Sequence, residues 1–321
     1  MSIFGKTNVR SEMTREAVRW SVKLLRPTAP ELALRLAERA FLTAPRHSRP
    51  AWERSALEGA RPWRVPFGGS HLPAWTWEAN REDAKTALLV HGWEGRGSQL
   101  ASFVEPLRAR GFRVVAFDAP GHGDATSRTS SAVHIALAIE RMVHALHGVD
   151  AIIAHSVGGA AASLALHLGS IGPKAEDTRF VFVSPPVSPA RFAGAFASYL
   201  GLDSSEKKEL ESRIERRLGL GLGDLDVRKV AHEFRSPMLL VHDTEDREVP
   251  FSDGRAFVDA WPGAQLFATE GLGHRRILRS RDVVSAAADF AAAQPIRWPA
   301  LPPGSLEAEL YDRYSRATPR G

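Results

Sequence analysis

The stretch Ala154-His155-Ser156-Val157-Gly158-Gly159 decides how the rest of the chain is interpreted. It follows an apolar run at 151–153, which predicts a short buried strand, and precedes an alanine- and leucine-rich segment at 160–166, which predicts a helix. The small residues in the stretch allow strand and helix to approach each other closely. We therefore predict a serine on a tight turn between a strand and a helix.

A serine on such a turn has its hydroxyl pushed above the sheet, with the N-terminus of a helix behind it. This is the nucleophile-elbow geometry, normally written G-x-S-x-G. Ala154 stands where the first glycine of that motif belongs, so the match is imperfect. Because serine–glycine turns are common, these six residues alone leave a purely structural turn open, and the rest of the chain has to decide.

Composition excludes several classes of site. The 321 residues are 44% hydrophobic and 25% charged, as in ordinary folded proteins, and include no cysteine. A disulfide framework, a thiolate nucleophile and cysteine-based metal sites are therefore excluded. The formal charge of +5 comes from scattered arginines, so nucleic acid is not an expected partner. Without an apolar signal core or a run of roughly 18 apolar residues, we expect a cytoplasmic protein.

Strand and helix alternate through residues 62–184 and again through 235–294. A glycine turn between two short extended runs predicts a hairpin over 63–77. The remaining predicted strands cover 86–92, 112–118, 151–153, 179–184, 237–242 and 265–269. This alternation predicts an α/β fold with a doubly wound, mostly parallel, eight-stranded sheet.

Three segments lie outside that alternation. Residues 185–234 have helical patterning and no strand, which predicts a helical cap or lid over the sheet edge where ligands bind and which should set substrate choice. Residues 1–61 predict an N-terminal helical extension, and residues 295–321 a tail with a short helix over 306–314. Four apolar cap residues are candidates for substrate contact or for core packing: Phe192, Phe196, Tyr199 and Leu200.

The N-terminal extension contains a basic amphipathic helix. Val18, Val22 and Leu25 share one helical face, and basic residues occupy another. Such a helix can cover an apolar surface of its own domain or lie on a membrane surface. Covering is the expected role, and weak membrane-surface contact is the alternative.

Acid and base candidates follow the last two predicted strands. A serine hydroxyl becomes nucleophilic when a histidine takes its proton, and the histidine needs a carboxylate to hold it. Asp243, Glu245 and Asp246 follow the penultimate strand, and His274 follows the last one. The order serine, acid, histidine, each just past the C-terminal end of a strand, is more specific than any single motif, because these loops open on one edge of a parallel sheet.

Together these features resemble the α/β-hydrolase fold superfamily over about residues 62–292. The resemblance rests on five features in chain order: His91-Gly92-Trp93, Asp118 with Gly121-His122-Gly123, the turn at Ser156, Asp246 with Val249-Pro250, and Gly273-His274. The family pattern places the acid three residues before a valine or proline, which selects Asp246 over Asp243 and Glu245. The resemblance also implies an oxyanion hole formed by the backbone N–H groups of Trp93 and Val157.

The resemblance implies a serine hydrolase that cleaves a small-molecule ester or thioester through an acyl-enzyme. Ser156 would be the nucleophile, His274 the base and Asp246 the carboxylate that orients it. No cofactor is expected, and His242 with Asp243 is too few ligands for a metal site. Peptidase, lactonase and acyltransferase chemistry stay open because they use the same intermediate, as does a ligand-binding relative without turnover. The sequence leaves the oligomeric state open.

Other polar residues near these motifs have simpler interpretations. His91 and His122 are expected to stabilise turns. His155 is expected to point away from the neighbouring serine, because alternate side chains of a strand leave opposite faces. Glu94 and Arg96 can line the entrance to the site or solvate their loop, and solvation is the preferred interpretation.

Overall fold

The structure is a computed structural model, and it describes residues 9–81 and 83–296. The predicted C-terminal tail lies outside the described residues from position 297 onward, and so does its predicted helix over 306–314.

One sheet runs through the protein. Its strands are β1 (Arg61–Phe67), β2 (Ser70–Trp77), β3 (Lys85–Val90), β4 (Phe112–Phe117), β5 (Ala151–His155), β6 (Arg179–Val183), β7 (Met238–Asp243) and β8 (Gln265–Thr269). They lie in the order β1-β2-β4-β3-β5-β6-β7-β8. β1 pairs antiparallel with β2, and β2 antiparallel with β4, whereas all other pairs are parallel. The predicted mostly parallel, eight-stranded sheet is therefore confirmed.

Helices cover both faces of the sheet. The α-helices of the described residues are α1 (Val9–Leu25), α2 (Pro30–Phe41), α3 (Ala51–Ala56), α4 (Val104–Arg108), α5 (Ala132–Ala145), α6 (Val157–His167), α7 (Ala190–Tyr199), α8 (Ser204–Leu218), α9 (Phe251–Ala260), α10 (Gly273–Arg276) and α11 (Arg281–Ala291). Short 3₁₀ segments span Gly97–Phe103, Leu222–Leu225, Val227–Lys229, Ala231–Glu233 and Ile277–Arg279. The first three helices form the N-terminal extension, and α7 and α8 belong to the predicted cap.

The sheet separates two hydrophobic cores, one on each of its faces. Side chains alternate across a strand, so neighbours in β3 enter different layers. Leu88 packs in the same cluster as Ile139 of α5. Leu89 packs in the other cluster, with Leu107 of α4 and Ala287 of α11. This burial on both faces explains why the central strands are nearly unbroken apolar runs.

The N-terminal extension is bound to the loops at the C-terminal edge of the sheet. Arg46 donates to the backbone oxygens of Gly121, Ala125 and Ser127 in the loop that follows β4. Arg49 donates to Asp118 Oδ2 at 2.6 Å, at the end of the same strand. Residues next to α3 therefore hold a loop that belongs to the sheet.

The same extension also contacts the cap. Arg26, just after α1, lies 2.6 Å from Glu206 Oε2 on α8. Tyr199 at the end of α7 donates its hydroxyl to Glu16 of α1 at 2.9 Å. Burial and this hydrogen bond raise the pKa of Tyr199 to about 12, so the phenol stays protonated. The extension covers its own domain, as the preferred interpretation of the sequence expects.

The outer face of α1 stays in solvent. Met13, Trp20 and Leu24 are 69%, 55% and 73% exposed, and Lys23 lies over the Trp20 ring at 4.8 Å. Weak contact of this face with a membrane surface remains a prediction. Within residues 9–81 and 83–296, no helix has the length and apolar character to cross a bilayer.

A buried ion pair joins α3 to the loop that follows β3. Glu53 is 1% exposed and accepts hydrogen bonds from Arg96, which is also buried, and from Ser98 at 2.5 Å. Burial raises the pKa of Glu53, but the bonds from Arg96 and Ser98 outweigh it and leave the pKa below its ordinary value. The carboxylate therefore remains ionised and holds the extension against the core.

We predict that Glu53→Gln lowers the free energy of unfolding by about 3–5 kcal/mol, because it leaves the Arg96 charge buried without its partner. The matched control is Glu78→Gln, which removes one partner of the exposed pair Arg61–Glu78 and should change stability by less than about 1 kcal/mol. Urea unfolding measures both. Equal losses in the two variants would contradict a structural role for the buried pair.

Candidate active site

Ser156 lies on the turn between β5 and α6 with φ 53° and ψ −129°. A non-glycine residue with this backbone conformation is strained by roughly 1–3 kcal/mol, and surrounding contacts must hold it. Ser156 N–H donates to Val183 O at 2.8 Å, and Ser156 O accepts from Gly159 N–H at 2.9 Å. Ala154, the departure from the motif, is an ordinary buried β5 residue paired with Val90 and Phe182. Its methyl group therefore does not disturb the turn.

Glycines let the neighbouring backbones approach this turn. A Cβ on Gly158 would lie 2.7 Å from His91 O, inside the closest approach of real side chains. A Cβ on Gly92 would lie 2.9 Å from Ser156 Cβ and 3.0 Å from His155 Nδ1. Glycine is required at both positions because a side chain would clash with its neighbours, and not because the backbone has a positive φ.

The structure brings Asp246 and His274 together. His274 Nδ1–H donates to Asp246 Oδ2 at 2.7 Å, and Asp246 Oδ1 accepts from the backbone N–H groups of Glu248 and Val249 at 2.8 and 3.0 Å. Burial raises the pKa of Asp246, but the hydrogen bond and charge of His274 and the bond from Val249 lower it to about 2. Asp246 is therefore a carboxylate near neutral pH, with the His274 ring fixed in one orientation.

Asp243 has a different position from Asp246. Its Oδ2 accepts from Thr269 Oγ1 at 2.8 Å and from Leu272 N–H at 2.9 Å, so it ties the end of β7 to the loop that carries His274. The third candidate acid, Glu245, is exposed. Of the three, Asp246 is the carboxylate that contacts His274.

His242 lies behind Asp246. Its Nε2–H donates to Val249 O at 3.0 Å, and the same nitrogen is 3.6 Å from Asp246 Oδ2. Burial lowers the pKa of His242, so its ring is neutral and adds no charge to the pair. The described residues contain no group of three or more His, Asp or Glu side chains arranged for a metal ion.

The prediction for His155 is wrong. Its side chain lines the same cavity as Ser156, with its ring centroid 4.7 Å from that of His274. His155 Nε2–H donates to His274 O at 3.0 Å, and burial lowers its pKa well below the ordinary value. A neutral ring at this place supports the His274 loop without opposing a positive charge on His274.

The preferred prediction for Glu94 and Arg96, solvation of their loop, is also wrong, whereas Glu94 lines the cavity as the alternative expects. Both side chains are buried rather than solvated. Glu94, at φ 59° just after Trp93, accepts a hydrogen bond from Arg15 of α1, and Arg96 is paired with Glu53 of α3. The loop is covered because the N-terminal extension folds over it, a contact that no local pattern encodes.

His91 and His122 stabilise turns, as expected. His91 Nε2 accepts from Ala119 N–H at 2.9 Å, and His122 Nδ1–H donates to Pro120 O at 2.9 Å. Burial lowers the pKa of His91 to about 3 and that of His122 to about 4, so both are neutral. The His122 ring packs edge-on against Trp93 at 5.0 Å, which fixes Trp93 beside the cavity.

Ser156, His274, Trp93 and Val157 line one cavity of about 660 Å³. Its apolar walls are formed by two segments that are far apart in the sequence. The cap contributes Phe192, Phe196, Leu222 and Leu225, and the N-terminal extension contributes Val18, Leu36, Phe41 and Trp52. The extension shapes the cavity as much as the cap does, which the sequence did not indicate.

The four apolar cap candidates divide between two roles. Phe192 and Phe196 line the cavity. Leu200 is buried in the core, and Tyr199 is bound to Glu16 of α1. Spacing alone could not separate them.

The fold and this site define a class of protein. The sequence matches the model of the Alpha/beta hydrolase family over residues 87–293. The chain therefore belongs to the alpha/beta hydrolase family. A comparison with curated proteins finds no match.

Solved structures with the same fold include enzymes of several kinds. Esterase Pf2001 of Pyrococcus furiosus is 18% identical, with a TM-score of 0.59 over 79% of this chain and 99% of its own. Est1E of Butyrivibrio proteoclasticus, with ferulic acid bound, is 19% identical, with a TM-score of 0.58 over 72% and 98%. A thioesterase domain from the curacin biosynthetic pathway is 18% identical, with a TM-score of 0.53 over 73% and 99%. At these identities the likeness concerns the fold.

We predict that Gly92→Ala lowers turnover of any substrate at this site by about tenfold or more, because the added methyl displaces Ser156 or His155. The control is Gly194→Ala in α7, where the nearest atom to the new methyl is Glu211 Oε1 at 3.7 Å, and where alanine favours the helix. Steady-state kinetics with unfolding curves measure both variants. Unchanged turnover in a folded Gly92→Ala protein would contradict the tight approach.

Proposed function

We propose that this protein is a serine hydrolase that cleaves a carboxylic ester or thioester through an acyl-enzyme on Ser156. The observation that carries the proposal is the Asp246–His274 hydrogen bond of 2.7 Å, in a cavity that Ser156 enters from a strained turn. A buried carboxylate, a histidine oriented by it and a serine with positive φ serve together in nucleophilic catalysis.

In the proposed reaction, His274 Nε2 takes the Ser156 proton as the serine oxygen bonds to the substrate carbonyl carbon. The leaving alcohol or thiol receives that proton from His274, and the carbonyl–heteroatom bond breaks. Water then attacks the acyl-enzyme with His274 again as the base, and the carboxylic acid leaves. Asp246 stabilises the imidazolium during both steps and keeps Nδ1 protonated.

The negative charge that develops on the carbonyl oxygen needs hydrogen-bond donors. The backbone N–H groups of Trp93 and Val157 belong to residues that line the same cavity as Ser156. Each such donor accounts for about 10²–10³ in rate in other enzymes. We assign the oxyanion hole to these two amides, and the packing of Trp93 on His122 supports a fixed position for the first.

Three related reactions use the same intermediate. A peptidase, a lactonase or an acyltransferase would need no different side chains at Ser156, Asp246 and His274. A binding protein without turnover would keep the cavity as well. A hydrolysis profile over esters, thioesters and amides separates an esterase or thioesterase from a peptidase and from a binding protein.

We expect a fluorophosphonate probe to label the wild-type protein and to leave Ser156→Ala unlabelled, because the probe reacts with an activated serine oxygen. Ser163→Ala is the matched control, since its hydroxyl is buried in α6 and donates to Gly159 O at 3.0 Å. Intact-mass spectrometry after labelling gives the result. A folded wild type that stays unlabelled, or equal labelling of Ser156→Ala, would reject the assignment of the nucleophile.

Asp246→Asn should lower kcat by about 10⁴-fold, because an amide cannot stabilise the imidazolium and favours the wrong tautomer. Glu245→Gln makes the same change of charge in the same loop, on an exposed side chain, and should leave kcat within about twofold. Turnover of an activated ester measures both. Near-normal turnover in Asp246→Asn would transfer the role to Asp243.

A further inference from the structure

A second cavity of about 800 Å³ adjoins the one that holds Ser156. The two cavities share Thr14, Arg39, Thr43 and Pro45 as lining residues. Their chemistry differs sharply. The first has apolar walls, whereas the second, which we call the basic cavity, is lined by Arg35, Arg39, Arg46, Arg128 and Arg217.

Positive charge in the basic cavity is largely uncompensated. The carboxylate on its wall is Glu38, which pairs with Arg217 at 3.2 Å. Arg35 pairs with Glu31 of the same helix at 2.9 Å. Arg46 donates to backbone oxygens, and no carboxylate of the described residues lies within 4.0 Å of its guanidinium group.

Two further arginines have no acidic partner in the described part of the chain. Within the described residues, no carboxylate lies within 4.0 Å of the guanidinium groups of Arg39 and Arg128. Both side chains are exposed, so neither is held by burial in the core. Converging cations without counter-ions are the arrangement by which proteins bind multiply charged anions, and the planar guanidinium fits phosphate oxygens in pairs.

Because the two cavities share a wall, one substrate could occupy both, and the chemistry of each cavity indicates which part of the substrate it would hold. An acyl group attached to Ser156 would be accommodated by the apolar side chains of the first cavity, such as Phe41, Phe196 and Leu225. A multiply charged anion does not belong there, because its desolvation would be unfavourable. The anion therefore lies on the other side of the scissile bond, in the leaving group.

We propose that the basic cavity binds a phosphate-bearing leaving group of the ester or thioester whose acyl group occupies the first cavity. The inference rests on the proposed function for the position of the scissile bond beside Ser156. Two sources share this chemistry: a thiol that carries a phosphorylated nucleotide, and the phosphorylated glycerol of a glycerophosphate ester. Arg39, which lines both cavities, would contact the leaving group nearest to the reacting carbonyl.

Calorimetric titration of the full chain tests the site without turnover. Coenzyme A should bind at least about tenfold more tightly than pantetheine, which lacks the nucleotide and its phosphates, because hydrogen bonds to charged groups contribute about 1.5–3 kcal/mol each. The difference should shrink as salt is raised. Glycerol 3-phosphate forms the other arm. The tighter of the two phosphorylated probes identifies the source.

Variants distinguish specific binding of the anion by the arginines of the basic cavity from nonspecific attraction to a positively charged protein. The pair Arg39→Gln with Arg128→Gln should weaken binding of the preferred probe by about tenfold or more, and the matching lysine pair should restore part of it. Arg61→Gln on β1 removes one exposed charge outside both cavities and should change nothing. Unfolding curves of each protein verify folding. Equal binding of the preferred probe by wild type and the glutamine pair, or no binding by wild type, overturns the proposal.

Turnover links the site to the reaction. The ratio of kcat/KM for octanoyl-coenzyme A to that for octanoyl-N-acetylcysteamine, the same thioester without phosphate, should fall about tenfold in the glutamine pair. For a glycerophosphate source, 1-octanoylglycerol 3-phosphate is compared with 1-octanoylglycerol. Phosphate binding as expected, together with no hydrolysis and no fluorophosphonate labelling, would reject the proposed function and leave the anion site standing. Hydrolysis of the neutral substrate with an unchanged ratio would overturn the leaving-group assignment alone.

Discussion

The positive φ of Ser156 is the constraint on which the rest of the site depends. The chain reverses there from β5 into α6, and the strain is tolerated because neighbouring backbones hold both sides of the turn. Gly158 allows α6 to lie against the carbonyl of His91, and Gly92 leaves the space that the serine side chain needs. The loops after β3 and β5 are therefore packed as one unit. The other residues that line the cavity, His274 among them, are positioned relative to this turn.

Local patterns predicted the part of the site that belongs to the sheet. Ser156, Asp246 and His274 follow strands whose apolar runs are visible in the sequence, and parallel strands end on the same edge. The choice of Asp246 over Asp243 needed the resemblance to a family, because both are acids in one loop. Their hydrogen bonds show the physical difference: Asp246 contacts His274, and Asp243 connects the end of β7 to the loop before His274.

The sequence-based predictions were wrong for residues that contact segments far away in the sequence. Arg15 reaches Glu94 across 79 residues of sequence, and the amphipathic helix that carries it gives no sign of where its apolar face will dock. Glu94 and Arg96 have the composition of a solvated loop and are buried because α1 and α3 cover them. His155 was misplaced for another reason: strand alternation was applied to a residue at the very end of β5, where the chain already turns.

The contacts of the N-terminal extension also bear on the order in which the chain can fold. Helices α1 to α3 are synthesised before the elements on which they dock, which are the loops after β3 and β4 and helix α8, which ends at Leu218. During synthesis the extension can bind the loops after β3 and β4 once these are made, whereas its contacts with α8 become available only later. The cavity, which residues of the extension and of the cap line together, is therefore complete only after the cap has been made. A segment made early thus forms part of its contacts late.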